Sequence, residues 1–177
     1  MESVQILDKT FEPFISNDQL KEIIKKMSAQ MEGLAKSNPL FVVVLNGSFL
    51  FASDLLQCLP FDAEVNFIKL SSYEGTKSTG IVKEHLSLQT DISGRTIVIL
   101  EDIVDTGTTL DYLVAKFKKD KPKEILVASL LFKPTAYQYK LDIDFIGKEI
   151  ANEFVVGYGL DYEELGRTLP HIYKLKN

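Results

Sequence analysis

The sequence predicts an α/β fold, a mainly parallel sheet flanked by helices, and three observations carry that expectation. Continuous apolar runs at residues 40–45 (LFVVVL), 96–100 (TIVIL) and 125–132 (ILVASLLF) read as strands covered on both faces. Between them lie stretches with the apolar spacing of a helix face. Polar segments follow the strands: Asn46-Gly47-Ser48, Ser72-Tyr73, residues 101–109 and Lys133. Strands alternating with helices make βαβ units with right-handed crossovers. Ligands of open parallel sheets bind beyond the carboxyl ends of the strands. The polar segments are therefore expected along one edge of the sheet, as a site.

In chain order, residues 1–14 have weak periodicity and read as a short strand or arm. Ser16-Asn17-Asp18-Gln19 is a capping box, with Ile15 and Leu20 as its hydrophobic staple. Leu20, Ile23, Ile24, Met27, Met31 and Leu34 then form the apolar stripe of a long helix that runs to Ser37-Asn38-Pro39. After the 40–45 strand, Asn46-Gly47-Ser48 turns into a helix expected to bury Phe49, Ala52, Ser53 and Leu56. Residues 65–70 read as a strand that opens into 71–80 (SSYEGTKSTG), a mobile loop by composition. A turn at Ser93-Gly94 precedes the 96–100 strand, which Glu101 and Asp102 end. Asp105-Thr106-Gly107-Thr108-Thr109 follows, and Leu110, Leu113, Val114 and Phe117 mark the next helix face. The 125–132 strand ends at Lys133-Pro134, and residues 141–146 and 154–156 are shorter strand candidates. There is no internal repeat, and residues 1–177 are expected to form a single domain.

A chain of 177 residues can bury roughly 70% of its unfolded surface around one core. A net charge of −5 argues against non-specific nucleic-acid binding, and the lysine-rich runs 116–123 and 174–176 read as solvated faces. No apolar run approaches the ~20 residues that span a bilayer, and the polar N-terminus lacks a signal-peptide pattern, so no membrane partner and a cytoplasmic location are expected. Cys58, the one cysteine, lies among Leu55, Leu56 and Leu59 and reads as core filler. His85 and His171 lack metal-ligand spacing and read as structural or surface residues. There is no G-x-x-x-x-G-K loop and no dinucleotide fingerprint, which removes P-loop and Rossmann readings.

The chemistry concentrates in residues 101–109. Gly107 lets the backbone approach a ligand, the threonines add donors, and the amides and dipole of a helix start suit a phosphate. Glu101, Asp102 and Asp105 would repel that phosphate unless they face sugar hydroxyls, a divalent cation or a basic ring nitrogen. A phosphorylated sugar with its cation offers the first two.

Residues 96–110, TIVILEDIVDTGTTL, resemble the phosphoribosyl-diphosphate (PRPP) motif of the type I phosphoribosyltransferases. Five ordered segments narrow the resemblance to the hypoxanthine (hypoxanthine-guanine) phosphoribosyltransferase family: VVLNGSFLFASDLL, SSYEGTKSTG, ILEDIVDTGTTL, SLLFKPT and IGKEIANEFVVGYGLDYEELGR. The resemblance implies that fold, with a small hood formed by N- and C-terminal segments. It implies transfer of the 5-phosphoribosyl group of PRPP to N9 of a 6-oxopurine, Mg²⁺ as cofactor, and a homo-oligomer (dimer or tetramer). By position, Asp105 would be the general acid/base near N7. Glu101 and Asp102 would hold the ribose hydroxyls and Mg²⁺, and Thr106, Gly107, Thr108 and Thr109 would cradle the 5-phosphate. Asn46, Gly47 and Arg167 would meet the pyrophosphate, with Ser72 and Tyr73 on a closing lid. Lys133 would donate to O6, Phe154 would stack on the ring, the Val155 backbone would meet its Watson–Crick edge, and Asp161 would bind a Mg²⁺.

Taken alone, several of these residues have plainer readings: Asn46-Gly47 as a tight turn, Phe154 as core, Asp161 and Arg167 as a surface ion pair. Many family members carry lysine where this chain has Asn46, which leaves a charge there in doubt. Two rival functions stay open at this point, a transferase for xanthine or another base and a non-catalytic nucleotide-sensing regulator of the same fold. Retention of Asp105 and of the lid sequence favours an enzyme.

Overall fold

The computed structural model describes residues 1–74 and 77–176, with residues 71–74 and 77–83 described as strand backbone only. A six-stranded sheet runs in the order β5-β4-β3-β6-β7-β8. Its members are β3 (Leu40–Leu45), β4 (Glu64–Glu74), β5 (Lys77–Leu86), β6 (Thr96–Val104), β7 (Glu124–Phe132) and β8 (Phe145–Glu149). β4, β3, β6, β7 and β8 are parallel, and β5 closes one edge antiparallel to β4. The architecture is the mainly parallel α/β sheet that the apolar runs predicted.

Strand alternation distributes the core over both faces. Phe41 and Val43 of β3, with Val98 and Leu100 of β6, face helices α1 (Asn17–Gln30) and α2 (Phe49–Cys58). Leu40, Val42 and Val44, with Ile97 and Ile99, face α3 (Thr108–Lys118), which contributes Leu110, Leu113, Val114 and Phe117. Because neighbouring residues on one strand serve opposite layers, the buried stretches 40–45 and 97–100 have no polar positions, and period-2 alternation is absent from them. Leu40, Phe41, Val42 and Val43 are all fully buried. Each such side chain contributes on the order of 1.5–3 kcal/mol by leaving water.

The chain termini build a second, four-stranded antiparallel sheet in the order β1-β2-β10-β9, from β1 (Val4–Ile6), β2 (Lys9–Ile15), β9 (Val155–Val156) and β10 (Ile172–Leu175). It corresponds to the expected hood and carries its own small core of Ile6, Phe11, Val156, Tyr162 and Tyr173.

The capping box forms as expected: Ser16 Oγ accepts from the Gln19 amide at 3.2 Å, and the Gln19 side chain accepts from the Ser16 amide at 2.8 Å. Five local expectations are corrected. The α-helix stops at Gln30 and continues only as a 3₁₀ turn, Glu32–Ser37, which left-handed Asn38 ends. α2 buries Phe51, Ala52 and Leu55, while Phe49 is 40% exposed. Ser48 at the helix start is fully buried, so the residues three, four and seven further on point inward. The 71–80 stretch expected as a loop supplies the arms of a hairpin, with Tyr73 opposite Ser78 and Glu74 opposite Lys77. Of the 141–146 candidate only the end is strand: the Asp144 carboxylate takes the Val127 amide at 2.8 Å, and the ladder starts at Phe145. Cys58 is exposed, as the last residue of α2, where the helix and its packing end.

Candidate active site

Parallel strands end at the same edge, and the segments following β3, β6 and β7 open there into one cavity of about 790 Å³. Its floor is the end of β6. The strand continues through Glu101 and Asp102 to Val104, so both carboxylates sit in the sheet rather than beyond it. Glu101 is 6% exposed, and Asp102 Oδ1 accepts from the Ile103 amide at 2.8 Å. Burial pushes the Glu101 carboxyl well above its ordinary range, helped by the charge of Asp102. Asp102 is pushed up to about 6 by burial and by nearby Asp161, against the opposing pull of the Ile103 amide and the Arg167 guanidinium.

The loop to α3 forms one bank. Gly107 has φ +89°, and a methyl group there would also overlap the ring of Tyr137. The Thr106 carbonyl accepts from the Gln138 amide at 3.1 Å, and the Thr106 and Thr108 hydroxyls lie 3.1 Å apart. The segment after β7 thus braces the turn from behind. Asp105, Thr106, Gly107, Thr108 and Thr109 all line the cavity beside the start of α3.

Lys133 arrives at the end of β7 nearly buried, and its ammonium pairs with Asp105 Oδ2 at 2.8 Å. The ladder between β6 and β7 carries this lysine to the carboxylate rather than to the surface.

On the facing side, Asn46 and Gly47 follow β3, and the Leu45–Asn46 peptide is cis. Gly47 packs so closely on Asp102 that any Cβ would overlap the carboxylate. Gly159, with φ +100°, packs in the same way on the Gly47 carbonyl. These contacts stack the 154–167 strap, the β3 turn and the β6 carboxylates into three touching layers. Tyr158 pins the strap, its hydroxyl donating to Asp54 of α2 at 2.5 Å.

Phe154, Val155, Asp161, Tyr162 and Arg167 line the opposite bank. Phe154 is 37% exposed and meets the cavity, so the core reading does not hold for it. Asp161 and Arg167 do form an ion pair, at 2.9 Å, but within the cavity wall; the guanidinium also donates to the Gly159 carbonyl at 2.9 Å. The cavity therefore receives every expected site residue whose side chain is described. The side chains of Ser72 and Tyr73 lie outside the described residues.

Sequence reasoning missed Tyr162, Glu164 and Lys69, which line the cavity, and read His85, which also lines it, as a structural or surface residue. Tyr162 and Glu164 lie within the DYEELGR segment, whose spacing beside Asp161 was the available signal. His171 is structural as expected, its Nδ1 accepting from the Asn17 amide at 2.9 Å.

Among the described residues no group of three His, Cys, Asp or Glu side chains could hold a metal ion. Glu101, Asp102 and Asp161 thus do not form a closed protein cage. A set of hard carboxylate oxygens beside the amides at the start of α3 still fits Mg²⁺, which is commonly held by one or two carboxylates together with substrate oxygens.

The phosphoribosyl transferase domain model matches residues 16–163. The chain is 40% identical over 164 residues to the hypoxanthine-guanine phosphoribosyltransferase of Bacillus subtilis, covering 92% of this chain and 91% of that protein. It is 43% identical over 167 residues to the bifunctional protein TilS/HprT of Listeria innocua, of whose length it spans 25%. Among solved structures, a hypoxanthine phosphoribosyltransferase from Staphylococcus aureus superposes with a TM-score of 0.87 at 36% identity, covering 93% of this chain and 91% of that one. A hypoxanthine-guanine phosphoribosyltransferase from Bacillus anthracis gives 0.84 at 36%, covering 94% and 97%.

Proposed function

We infer the reaction from the premise that this chain belongs to the phosphoribosyl transferase domain family, among its hypoxanthine-guanine phosphoribosyltransferases. The chain transfers the 5-phosphoribosyl group of PRPP to N9 of hypoxanthine and guanine in purine salvage, releasing pyrophosphate and giving IMP or GMP. The observation that carries this reading is the single cavity in which the 101–109 loop faces the 154–167 strap, with Asp105 and Lys133 joined at 2.8 Å between them.

The Thr106–Thr109 amides and hydroxyls donate to the 5-phosphate, and Glu101 and Asp102 accept from the ribose hydroxyls. Phe154 stacks on the purine, the Val155 backbone meets its Watson–Crick edge, and Lys133 donates to O6. A donor aimed there admits 6-oxopurines and rejects adenine, whose amino group is itself a donor. As N9 bonds to C1′ and the bond to pyrophosphate breaks, Asp105 takes the proton from N7. Lys133 shares its charge between O6 and that carboxylate. Arg167 and the amides of the Asn46-Gly47 turn hold the leaving pyrophosphate, and donors fixed in advance need no reorganisation during the step. Glu101, Asp102 and Asp161, together with substrate oxygens, would hold Mg²⁺, which would supply further charge neutralisation for the leaving group. Ser72 and Tyr73 cover the reacting atoms against water. A homodimer or homotetramer working in the cytoplasm completes the reading, supported by the family resemblance.

The test is a product assay with PRPP, Mg²⁺ and each of hypoxanthine, guanine, xanthine and adenine. IMP and GMP are expected, with no AMP. Formation of AMP, or of no nucleotide from any of the four bases, overturns the reading.

A further inference from the structure

Phe154 is the flat surface of the base bank, and two rings hold it from behind. Its centroid lies 6.0 Å from Phe11 of β2, and 5.9 Å from Tyr162, edge-on at 88°. Phe11 and Tyr162 are 6.3 Å apart, which closes the triangle. Phe11 is fully buried and Tyr162 is 8% exposed at the cavity wall, so Phe154, 37% exposed, is the member of the three most open to a ligand.

Tyr162 is in turn fastened at its polar end. Its hydroxyl donates to Asp8 Oδ1 at 2.8 Å and accepts from Lys9 Nζ at 3.0 Å. That ammonium also sits 4.4 Å from the Tyr162 ring centroid, within cation–π range. Lys9 and Asp8 pair at 3.5 Å, so hydroxyl, carboxylate and ammonium form a closed triad. Asp8 and Lys9 stand at the turn from β1 into β2, more than 150 positions from Tyr162 in sequence. Neither lines the cavity. The hydroxyl holds the Asp8 carboxyl below its ordinary range and the Lys9 amine above its own, so both stay charged at neutral pH.

We propose that the N-terminal hairpin is a working part of the base subsite: the Asp8–Lys9–Tyr162 triad fixes the plane of Phe154 and thereby sets affinity for the purine. Tyr162 and Lys9 are positioning residues, since they act through Phe154. This proposal rests on the phosphoribosyl-transfer reading and names what tunes its base bank. An unfastened Tyr162 can rock about its backbone, and Phe154 then loses the edge contact that holds it square to a stacked ring. The 5-phosphate and ribose contacts proposed for PRPP come from β6 and the start of α3, elements that contribute no member of the triad.

Lys9→Met keeps the alkyl stem and removes the lysine links, and Tyr162→Phe keeps the ring and removes the hydroxyl, so each breaks the triad with little loss of packing. Steady-state kinetics with hypoxanthine and PRPP, and thermal melts, are measured for both. Each variant is expected to raise KM for hypoxanthine three- to tenfold, roughly the range of one net hydrogen bond. KM for PRPP should stay at the parent value, and Lys9→Arg, which keeps a cation and a donor, should restore the parent KM for hypoxanthine. Should Tyr162→Phe not fold, Lys9→Met with its Lys9→Arg partner carries the test. A lowered melting temperature with both KM values unchanged makes the triad a mere staple between the termini and overturns the proposal. Equal rises in both KM values overturn it as well. A parent chain that turns over no 6-oxopurine overturns the functional reading itself, whereas an active parent with unaltered variants overturns only the positioning role.

Discussion

Asp102 carries an unusual electrostatic load for a residue in the middle of a sheet edge. Its carboxyl is pushed from the ordinary 3.8 to about 6, chiefly because burial disfavours the charge. A folded-state value above the unfolded one means that the fold binds the proton more tightly. Its contribution to stability is therefore full below about pH 4 and is lost as pH rises through 6. At neutral pH the substrate-free protein bears a penalty of at most about 3 kcal/mol from this group. Neighbouring Glu101 is shifted in the same direction. Asp102→Asn is therefore expected to melt at a higher temperature than the parent at pH 7.5 without substrates, and the gap should narrow as pH falls through 6 and close below about pH 4. A gap that does not change with pH would show that the carboxylate bears no such load. In the proposed reaction a cation and sugar hydroxyls reaching these oxygens would relieve the penalty, which would link binding energy to site strain.

At the scale of elements, the site depends on close contact between segments far apart in sequence. Asp102 on β6, Gly47 after β3 and Gly159 in the strap stack with no space for a side chain at either glycine. Gly47→Ala forces the turn away from the carboxylate, and displacements of about 1 Å in an active site can cost on the order of a hundredfold in rate. We expect kcat/KM for PRPP to fall roughly ten- to hundredfold, with a destabilisation of about 1–3 kcal/mol. Kinetics and a denaturant melt on the same sample check both, and a variant with parent kinetics would mean that the turn does not need its contact with Asp102. Sequence reading found this turn and its glycine but not the reason for the glycine, because the steric partner lies on another strand. The same holds for α2. Its helical period is visible, yet the buried Ser48 that sets its inward face at Phe51 and Leu55 has no apolar signature.

At the scale of the whole molecule, local chemistry and long-range closure were unequally legible. The unit from β6 to α3 combines an apolar strand, a carboxylate pair, a turn glycine and a helix face within about twenty residues, and so its pattern survives in one short window. Lys133, Phe154 and Arg167 reach the cavity only through strand pairing and the strap, and were recovered from a family resemblance rather than from their own surroundings. The hood left the weakest trace. β1, β2 and β10 are short and half-buried, and they pair the two ends of the chain, so no local period marks them. Tyr162 went unnoticed for the same reason, since Phe11, Asp8 and Lys9 are its partners from the other terminus.

Asp105 lines the cavity just beyond β6, paired with Lys133 at 2.8 Å, and carries the proposed proton transfer. The most direct measurement is turnover of hypoxanthine by Asp105→Asn beside calorimetric titration of the same variant with PRPP and Mg²⁺. Loss of a positioned general acid/base should lower kcat by about 10²–10⁴-fold, while PRPP binding, which draws on Glu101, Asp102 and the threonine cradle, stays close to that of the parent. Turnover at the parent rate with PRPP binding intact would contradict the account.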